Sequence, residues 1–548
     1  MAVSAVDQDA GTETQPLLLN NHNDHNQNNG TITPRDTDLS DDRSSTTSTT
    51  STAATAVIVV DFDPAGDPDN PLEWPIAFKW GIVALLAMTA FVVTFTCIAV
   101  IPLATSIGRD LAPSKSRSKS ASVLLVTIWE LGEAAGPLLI APLSEMYGRY
   151  PVMTGATLLL CAASVLAATS TSVPQFVFAR MLSGVAVAGN VLNPAIVGDV
   201  FAPEERGAAM SIVFLAPLVG GAVGPSIAAA VAENHGWRRV MWMCVALASA
   251  CELLFFTYFR ETYKVQILRR RAAERLRKVN AAALEGGDDG CRKAVMTTVV
   301  FDADGAGPGC KTAESGWRKL RDSVLRPGRV LFGSGVLMVL SLLGAVVFSY
   351  FYVMSTTLPD TLQDVYGLSP VSAGLCFISF TFGSVISVII CNRSLDAIYI
   401  HLRDSSKTHP GVGLPEYRLP LSVVGSLAIP FAIAAYGWII ELRLPVPLLL
   451  AAVSLIGSTL MLTMIPIMAY VVDAFGLYSA SALTGIIVTR CLAGTFLPLT
   501  TVPLVEKLGY GWGFTVFAAV SFCLAPISLL IFRYGHYWRQ FSQYSREQ

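Results

Sequence analysis

At 548 residues the chain has room for three or four soluble domains, yet 53% of it is hydrophobic and only 14% is Asp, Glu, Lys or Arg, against about 25% charged residues in ordinary globular proteins. A mean hydropathy of +0.53 points the same way: water cannot cover so much apolar side chain with so little charge, so lipid must solvate part of it, and an ordinary soluble enzyme is excluded. The formal charge of -2 leaves no basic face of the kind that displaces counter-ions from phosphate, so no nucleic acid is expected as a partner.

Residues 1–66 begin as a polar, low-complexity stretch (NHNDHNQNN, STTSTTST) that cannot bury enough apolar surface to order itself, which predicts a disordered cytosolic N-terminal tail. No basic segment followed by an apolar run precedes it, so no cleaved signal peptide is expected. Glu13 followed by Leu17 and Leu18 has the spacing of an acidic dileucine sorting signal, a pattern short enough to arise by chance.

From Lys79 onward the chain is read against a hydrocarbon core of about 30 Å, which takes about 20 residues of helix to cross. Twelve stretches qualify: 80–104, 122–143, 152–170, 174–198, 209–231, 239–259, 331–354, 371–392, 419–440, 446–470, 480–503 and 511–533. They fall into two groups of six, so the expected organisation is a six-helix bundle over 67–259, a cytosolic linker over 260–330, a second bundle over 331–533 and a cytosolic C-terminal tail over 534–548. The predicted fold is an all-α membrane protein of twelve transmembrane helices in two pseudo-symmetric six-helix bundles. Most of the 38 Lys and Arg residues fall on the cytosolic side if the N-terminus lies inside, which sets the orientation. In the linker, Val265, Leu268, Ala272, Leu276 and Val279 recur at helical spacing, with Arg269, Arg270, Arg271, Arg275, Arg277 and Lys278 on the other face. Residues 264–279 thus read as a basic amphipathic helix suited to the anionic lipid of the inner leaflet, or as the solvated helix of an ordinary loop.

An ionisable side chain near the bilayer centre costs at least about 2.5 kcal/mol on insertion scales, so each one is a functional candidate. Five are present: Glu130, Glu133, Arg180, Glu252 and Arg490, with no histidine among them. Glu130 and Glu133 lie three apart and share a helix face. They form either a proton-binding pair or part of a static network with Arg180 or with backbone. Arg180, whose guanidinium stays charged, could tune a facing carboxylate; nothing in the sequence names a partner for Arg490. In the fifth span Gly220 and Gly224 form a smooth strip beside Pro225, predicting a close, bendable helix seam between the halves. Candidate substrate-binding residues are Thr94 and Thr96 in the first span, Asn190 and Asn193 in the fourth, and Tyr350 and Tyr352 beside Phe348 and Phe351 in the seventh. An aromatic run near a span end equally suits the interfacial belt. Ten cysteines, none in a C-x-x-C pair, fit neither a disulfide framework nor a zinc site. No nucleophile–base pair, phosphate-cradling loop or metal-ligand set stands out, so neither an enzyme nor a cofactor is expected.

APLSEMYGRYP after the second span and GAVGPSIAA in the fifth resemble the major facilitator superfamily, and within it the fungal twelve-span drug:proton antiporters. DPDNPLEWP, GDVFAPEERGAAM, GWRRVMW, RETYKVQILRRRAAERLRK, PEYRLP, YVVDAFGLYSASAL and FRYGHYWR extend the resemblance over about residues 67–540. The resemblance implies that Glu145, Gly148 and Arg149, with Asp199, form a cytosolic gating cluster. It also implies that Arg180 is the fourth-span arginine of proton coupling, and that Gly224 and Pro225 belong to the antiporter signature. Ala141 and Tyr150 replace two residues of the family pattern around Glu145, and Ala228 and Ala229 stand where later glycines occur.

The function expected is proton-coupled export of a small amphiphilic organic compound by alternating access, with protons and membrane lipid as the other partners. The protein is expected to be multi-pass, in the plasma membrane or alternatively the vacuolar membrane. Proton-symport uptake of a nutrient, and a solute receptor that transports nothing, are the alternatives that the sequence leaves open.

Overall fold

Inside hydrocarbon an unpaired backbone amide or carbonyl costs several kcal/mol, so a chain this apolar crosses as helices that bond their own backbone. The computed structural model describes residues 57–63, 66–111, 119–187, 189–202, 205–285, 298–301, 316–405 and 413–545. The Glu13, Leu17 and Leu18 pattern and the rest of the predicted tail through residue 56 lie outside the described residues. The first six crossings are α1 (Ile76–Ile98, prolonged by α2, Ala104–Leu111), α3 (Lys119–Tyr147), α4 (Arg149–Ala168), α5 with α6 (Val173–Val185, Gly189–Val200), α7 (Arg206–His235) and α8 (Trp237–Tyr258). Helices α9 (Lys264–Glu285) and α10 (Gly316–Phe332) belong to the linker. The second six are α11 (Gly335–Asp364), α12 with α13 (Pro370–Leu375, Phe377–Ser405), α14 (Pro420–Glu441), α15 (Val446–Phe475), and the two arms of α16 (Ser479–Leu524), the second prolonged by α17 (Pro526–Arg539).

Among the described residues 10 continuous helices are long and apolar enough to cross. Twelve crossings result because the fourth is shared by α5 and α6, and because Ser479–Arg539 turns at Gly509, whose φ of +78° is open to glycine at little cost. The halves repeat one packing plan. The first crossing packs on the fifth, the second on the fourth and the third on the sixth in one half (α1 on α7, α3 on α5, α4 on α8), as do α11 on the first arm of α16, α13 on α15 and α14 on its second arm in the other.

The halves meet where α3 lies on α16 and where α7 lies on α12 and α13. The expectation that Gly220 and Gly224 form this seam is corrected. A side chain at Gly220 would press on the Phe91 carbonyl and one at Gly224 would touch Phe95, both on α1, so the strip packs within the first half. The contact across the seam is made at Pro225, whose carbonyl lies 2.8 Å from where a Cβ on Gly374 of α12 would stand.

The α9 helix turns part of its apolar face to protein. Leu268 and Ala272 are covered by protein, and the face left exposed is that of Arg269, Arg270, Arg275 and Arg277; the side chains of Leu276 and Val279 lie outside the described residues. Arg271 turns back to the segment just before α1, bonding Asp67 Oδ1 at 2.6 Å and Asp69 Oδ2 at 2.6 Å. That guanidinium holds the Asp67 carboxyl well below the usual carboxylate range. Strand β1 (Val57–Val60) pairs in parallel with β2 (Thr298–Phe301), so the segment before the first crossing is stitched to the linker.

Candidate transport site

The chemistry gathers where α3 passes between α5 and α16. Gly132 and Gly184 permit the first approach: a methyl group on either would run into backbone of the other helix, at the Met181 and Trp129 carbonyls. This brings Arg180 of α5 over the Trp129 ring, 4.7 Å from its centroid, with only 1% of the residue exposed. Its two terminal nitrogens donate to the carbonyls of Thr96 (3.0 Å) and Cys97 (2.8 Å). Those carbonyls belong to the last turn of α1, which has no further amides to bond them, and the negative end of the helix dipole favours a cation there. Arg180 therefore secures the end of α1, and the pairing with Glu130 or Glu133 considered from the sequence is not made.

The cation at the carboxylates is Arg490. Its Nη2 lies 3.1 Å from Glu133 Oε1, and its guanidinium stacks 4.3 Å from the centroid of Phe348. Glu130, 1% exposed, accepts a 2.6 Å hydrogen bond from the Tyr352 hydroxyl. Both acids thus stand on the first half and both partners on the second, so the cluster joins the halves through charge. Cys491 Sγ and a carboxylate oxygen of each acid lie within 4.8 Å of one another, a compact donor set whose cationic position is taken by the Arg490 guanidinium. Glu252 lies outside this cluster, buried on α8.

A cavity of about 530 Å³ opens at the end of the bundle opposite the start of α1 and the end of α17. Val126 on α3, Thr356 on α11 and Thr501 on α16 line it. Glu130 and Tyr352 stand one helical turn further in, about 5–6 Å below. At the other end α10 packs against both α3 and α16 and covers the approach.

That closed end carries Arg149, whose Nε lies 3.2 Å from Asp199 Oδ2 while Nη1 donates to Ser144 Oγ at 2.6 Å. Gly148 begins the next helix at φ +103°, a left-handed conformation that glycine alone adopts freely. The helix start is capped by Glu261, whose carboxylate accepts from the amides of Arg149 (2.8 Å) and Tyr150 (3.3 Å). Glu145, expected as the acidic member, is exposed and pairs with no basic group among the described residues. It stands one position beyond the side that Ser144 turns to Arg149, and Glu261 supplies the carboxylate instead.

The expected substrate residues separate. Tyr352 reaches the carboxylates, but Tyr350 points the other way on α11, its hydroxyl 2.9 Å from the Phe517 carbonyl and bonded to Ser521, locked inside the second half. Phe351 packs on Phe380. Thr94 is half-buried, Thr96 and Asn193 are buried, and none of these lines the outer cavity; the Asn190 side chain lies outside the described residues. Sequence reasoning passed over Ser144, the capping role of Glu261 and the pairing of Arg490 with Glu133, partners 357 positions apart that no local pattern connects.

Two six-helix halves closing on buried charge around a cavity open at one end define a membrane transporter. The chain belongs to the Major Facilitator Superfamily, whose family model matches residues 83–498. It is 31% identical to efflux pump radE of Floropilus chiversii, over 87% of this chain and 84% of the relative. It is 33% identical to the MFS-type transporter mpsC of Macrophomina phaseolina, over 87% and 88%. Among solved structures it resembles the D-xylose-proton symporter (TM-score 0.60, 15% identity, 82% of this chain and 97% of the other) and XylE from E. coli in an inward open conformation (0.58, 16%, 82% and 96%). At such identities the likeness is one of fold.

Proposed function

We propose that the protein exports a small amphiphilic organic compound in exchange for protons, its halves rocking around the Glu130–Glu133 cluster. The observation that carries the reading is the cluster itself: two carboxylates on α3 held from the opposite half by Tyr352 and Arg490, the nearer of them, Glu130, one turn below a cavity open at one end. A proton arriving at Glu133 cancels the charge that holds Arg490 and loosens the tie between halves. Proton and substrate then compete for one state, and each displaces the other by linkage. Gly148, Arg149 and Asp199 act as the gate at the closed end. Export, as against uptake, is supported by the efflux pump among the relatives. The 67–259 and 331–533 bundles are the moving bodies, with the linker and both tails in the cytosol and the exposed arginines of α9 facing anionic lipid headgroups of the plasma membrane.

The test is flux in sealed vesicles under an imposed pH gradient. Replacing Glu130 and Glu133 together by Gln is expected to abolish gradient-driven export while membrane insertion is kept; export at the unaltered rate removes the pair from the mechanism.

A further inference from the structure

The cover at the closed end has its own fastening. Helix α10 touches both halves, α3 in the first and α16 in the second, so it cannot keep both contacts once the cytosolic ends of those helices part. Its seat on the second half is built at three points. A Cβ on Gly485 of α16 would stand 3.3 Å from Leu331 and 3.5 Å from the Pro327 carbonyl, so the two helices run close. The Arg326 guanidinium lies 5.1 Å from the ring centroid of Tyr478, in the turn Gly476–Tyr478 between α15 and α16. Tyr544, beyond α17, meets that same ring edge-on at 5.2 Å and fills the corner between α10 and α11, where a Cβ on Gly333 would stand 2.5 Å from it.

The segment that carries Tyr544 is anchored. Arg539, which ends α17, and Glu416, in the turn Pro415–Arg418 before α14, are both buried and joined by hydrogen bonds of 2.7 and 3.2 Å. The Arg539 carbonyl accepts from the Ser542 amide and from the Ser545 hydroxyl, each at 3.1 Å, and Ser542 Oγ accepts from the Tyr544 amide at 3.3 Å. These bonds fold the chain after α17 into a turn that presents one aromatic ring to the cover.

We propose that Arg326, Tyr478 and Tyr544 form a latch that fixes α10 to the second half, so that this half carries the cover onto α3 and the segment after α17 favours the state closed to the cytosol. The three are positioning residues. The latch holds α10 ready, and the contact with α3, made only when the cytosolic end is closed, then forms without the cost of ordering a loose helix. The inference rests on the proposed alternation of the halves, and on neither proton exchange nor the identity of the substrate.

Labelling of the full-length protein in sealed vesicles by an impermeant maleimide reads the two ends separately. Thr357→Cys reports the cavity wall from the outer side, and Ala482→Cys, fully buried on α16, reports the closed end from the cytosolic side. Tyr544→Ala is expected to raise the labelling rate of Ala482→Cys about two- to tenfold, the range that one aromatic pair is worth, with no rise at Thr357→Cys. A fold that is merely loosened would label faster at both. Tyr544→Phe keeps the ring and should label as the unaltered protein does. Arg326→Gln, an exposed change that leaves Tyr544 in place, should act in the direction of Tyr544→Ala, and it decides the matter should Tyr544→Ala fail to insert. Labelling of Ala482→Cys at the unaltered rate in either variant, a rise at both ends together, or Tyr544→Phe behaving as Tyr544→Ala overturns the proposal. Arg149→Gln separates the latch from the reading beneath it: a rise at Ala482→Cys with Arg149→Gln but not with Tyr544→Ala leaves alternation standing and removes the latch. The expected rise in vesicles that show no gradient-driven flux supports the latch and overturns proton coupling.

Discussion

Arg490 is the residue whose removal should be felt most sharply. A buried ion pair contributes little over an apolar replacement of both members, but losing one member leaves the other charge uncompensated, at about 3–5 kcal/mol. Arg490→Gln is therefore expected to lower the thermal stability of the purified protein strongly, and adding Glu133→Gln to restore part of the loss. Equal melting temperatures for the single and double variants would show that the two side chains are not coupled. Arg180 belongs to a different case, because its guanidinium spans two carbonyls at 3.0 and 2.8 Å. A lysine carries the same charge but lacks the two-pronged fork, so Arg180→Lys should lower stability despite keeping the charge. From the sequence, the cost of a buried charge singled out Glu130, Glu133, Arg180 and Glu252, which are buried, and Arg490, which is half-buried. It could not pair them, because a pairing between α3 and α16 depends on how two distant helices cross.

Among the described residues three helices begin alike. Gly148, Gly236 and Gly509 each take a positive φ, and a carboxylate from elsewhere meets the residues that follow. Glu261 accepts from the amides of Arg149 and Tyr150, Asp110 from the side chains of Trp237 and Arg238, and Glu441 from the amides of Tyr510 and Gly511. Each arrangement turns the chain sharply at the membrane face and places an anion near the positive end of a helix. Gly509→Ala is expected to destabilise by about 1–2 kcal/mol, the left-handed cost of a Cβ, while Gly155→Ala, mid-helix with open space around it, should be neutral or stabilising. Chemical denaturation in detergent compares the two. The clasp of Asp67 on Arg271 makes a pH prediction. Since pairing lowers the folded-state pKa of Asp67, its contribution is complete above the ordinary carboxylate value of about 3.9 and is lost only as acid carries the pH well below it. Protease protection of the segment before α1 should thus be constant from pH 7 to 5, whereas Asp67→Asn should lose it at pH 7. The basic pattern of α9 was legible in the sequence, but its apolar positions could not say whether acyl chains or protein would cover them.

For the molecule as a whole, a cavity open at one end and a charged, helix-covered closure at the other fit one state of the proposed alternating-access cycle. Thr357→Cys, on the cavity wall, should react with an impermeant maleimide from outside, and Ala482→Cys, fully buried on α16, should resist it from the cytosol. Arg149→Gln is expected to raise labelling of Ala482→Cys by loosening the closed end; unchanged labelling would place the gate elsewhere. The amino-acid sequence by itself settled the lipid environment, the helical class, the twelve crossings and their division into sixes, because hydrophobic length and backbone self-bonding are local properties that each segment carries alone. Tertiary structure alone decided which charges meet, that Gly220 and Gly224 pack inside one half while Gly374 touches Pro225 across the seam, and that Ser144 and Glu261 stand at Arg149 where Glu145 was expected. Those outcomes are fixed by helix rotation and crossing, where one residue's step turns a side chain by about 100°, and that rotation is set by everything the helix packs against.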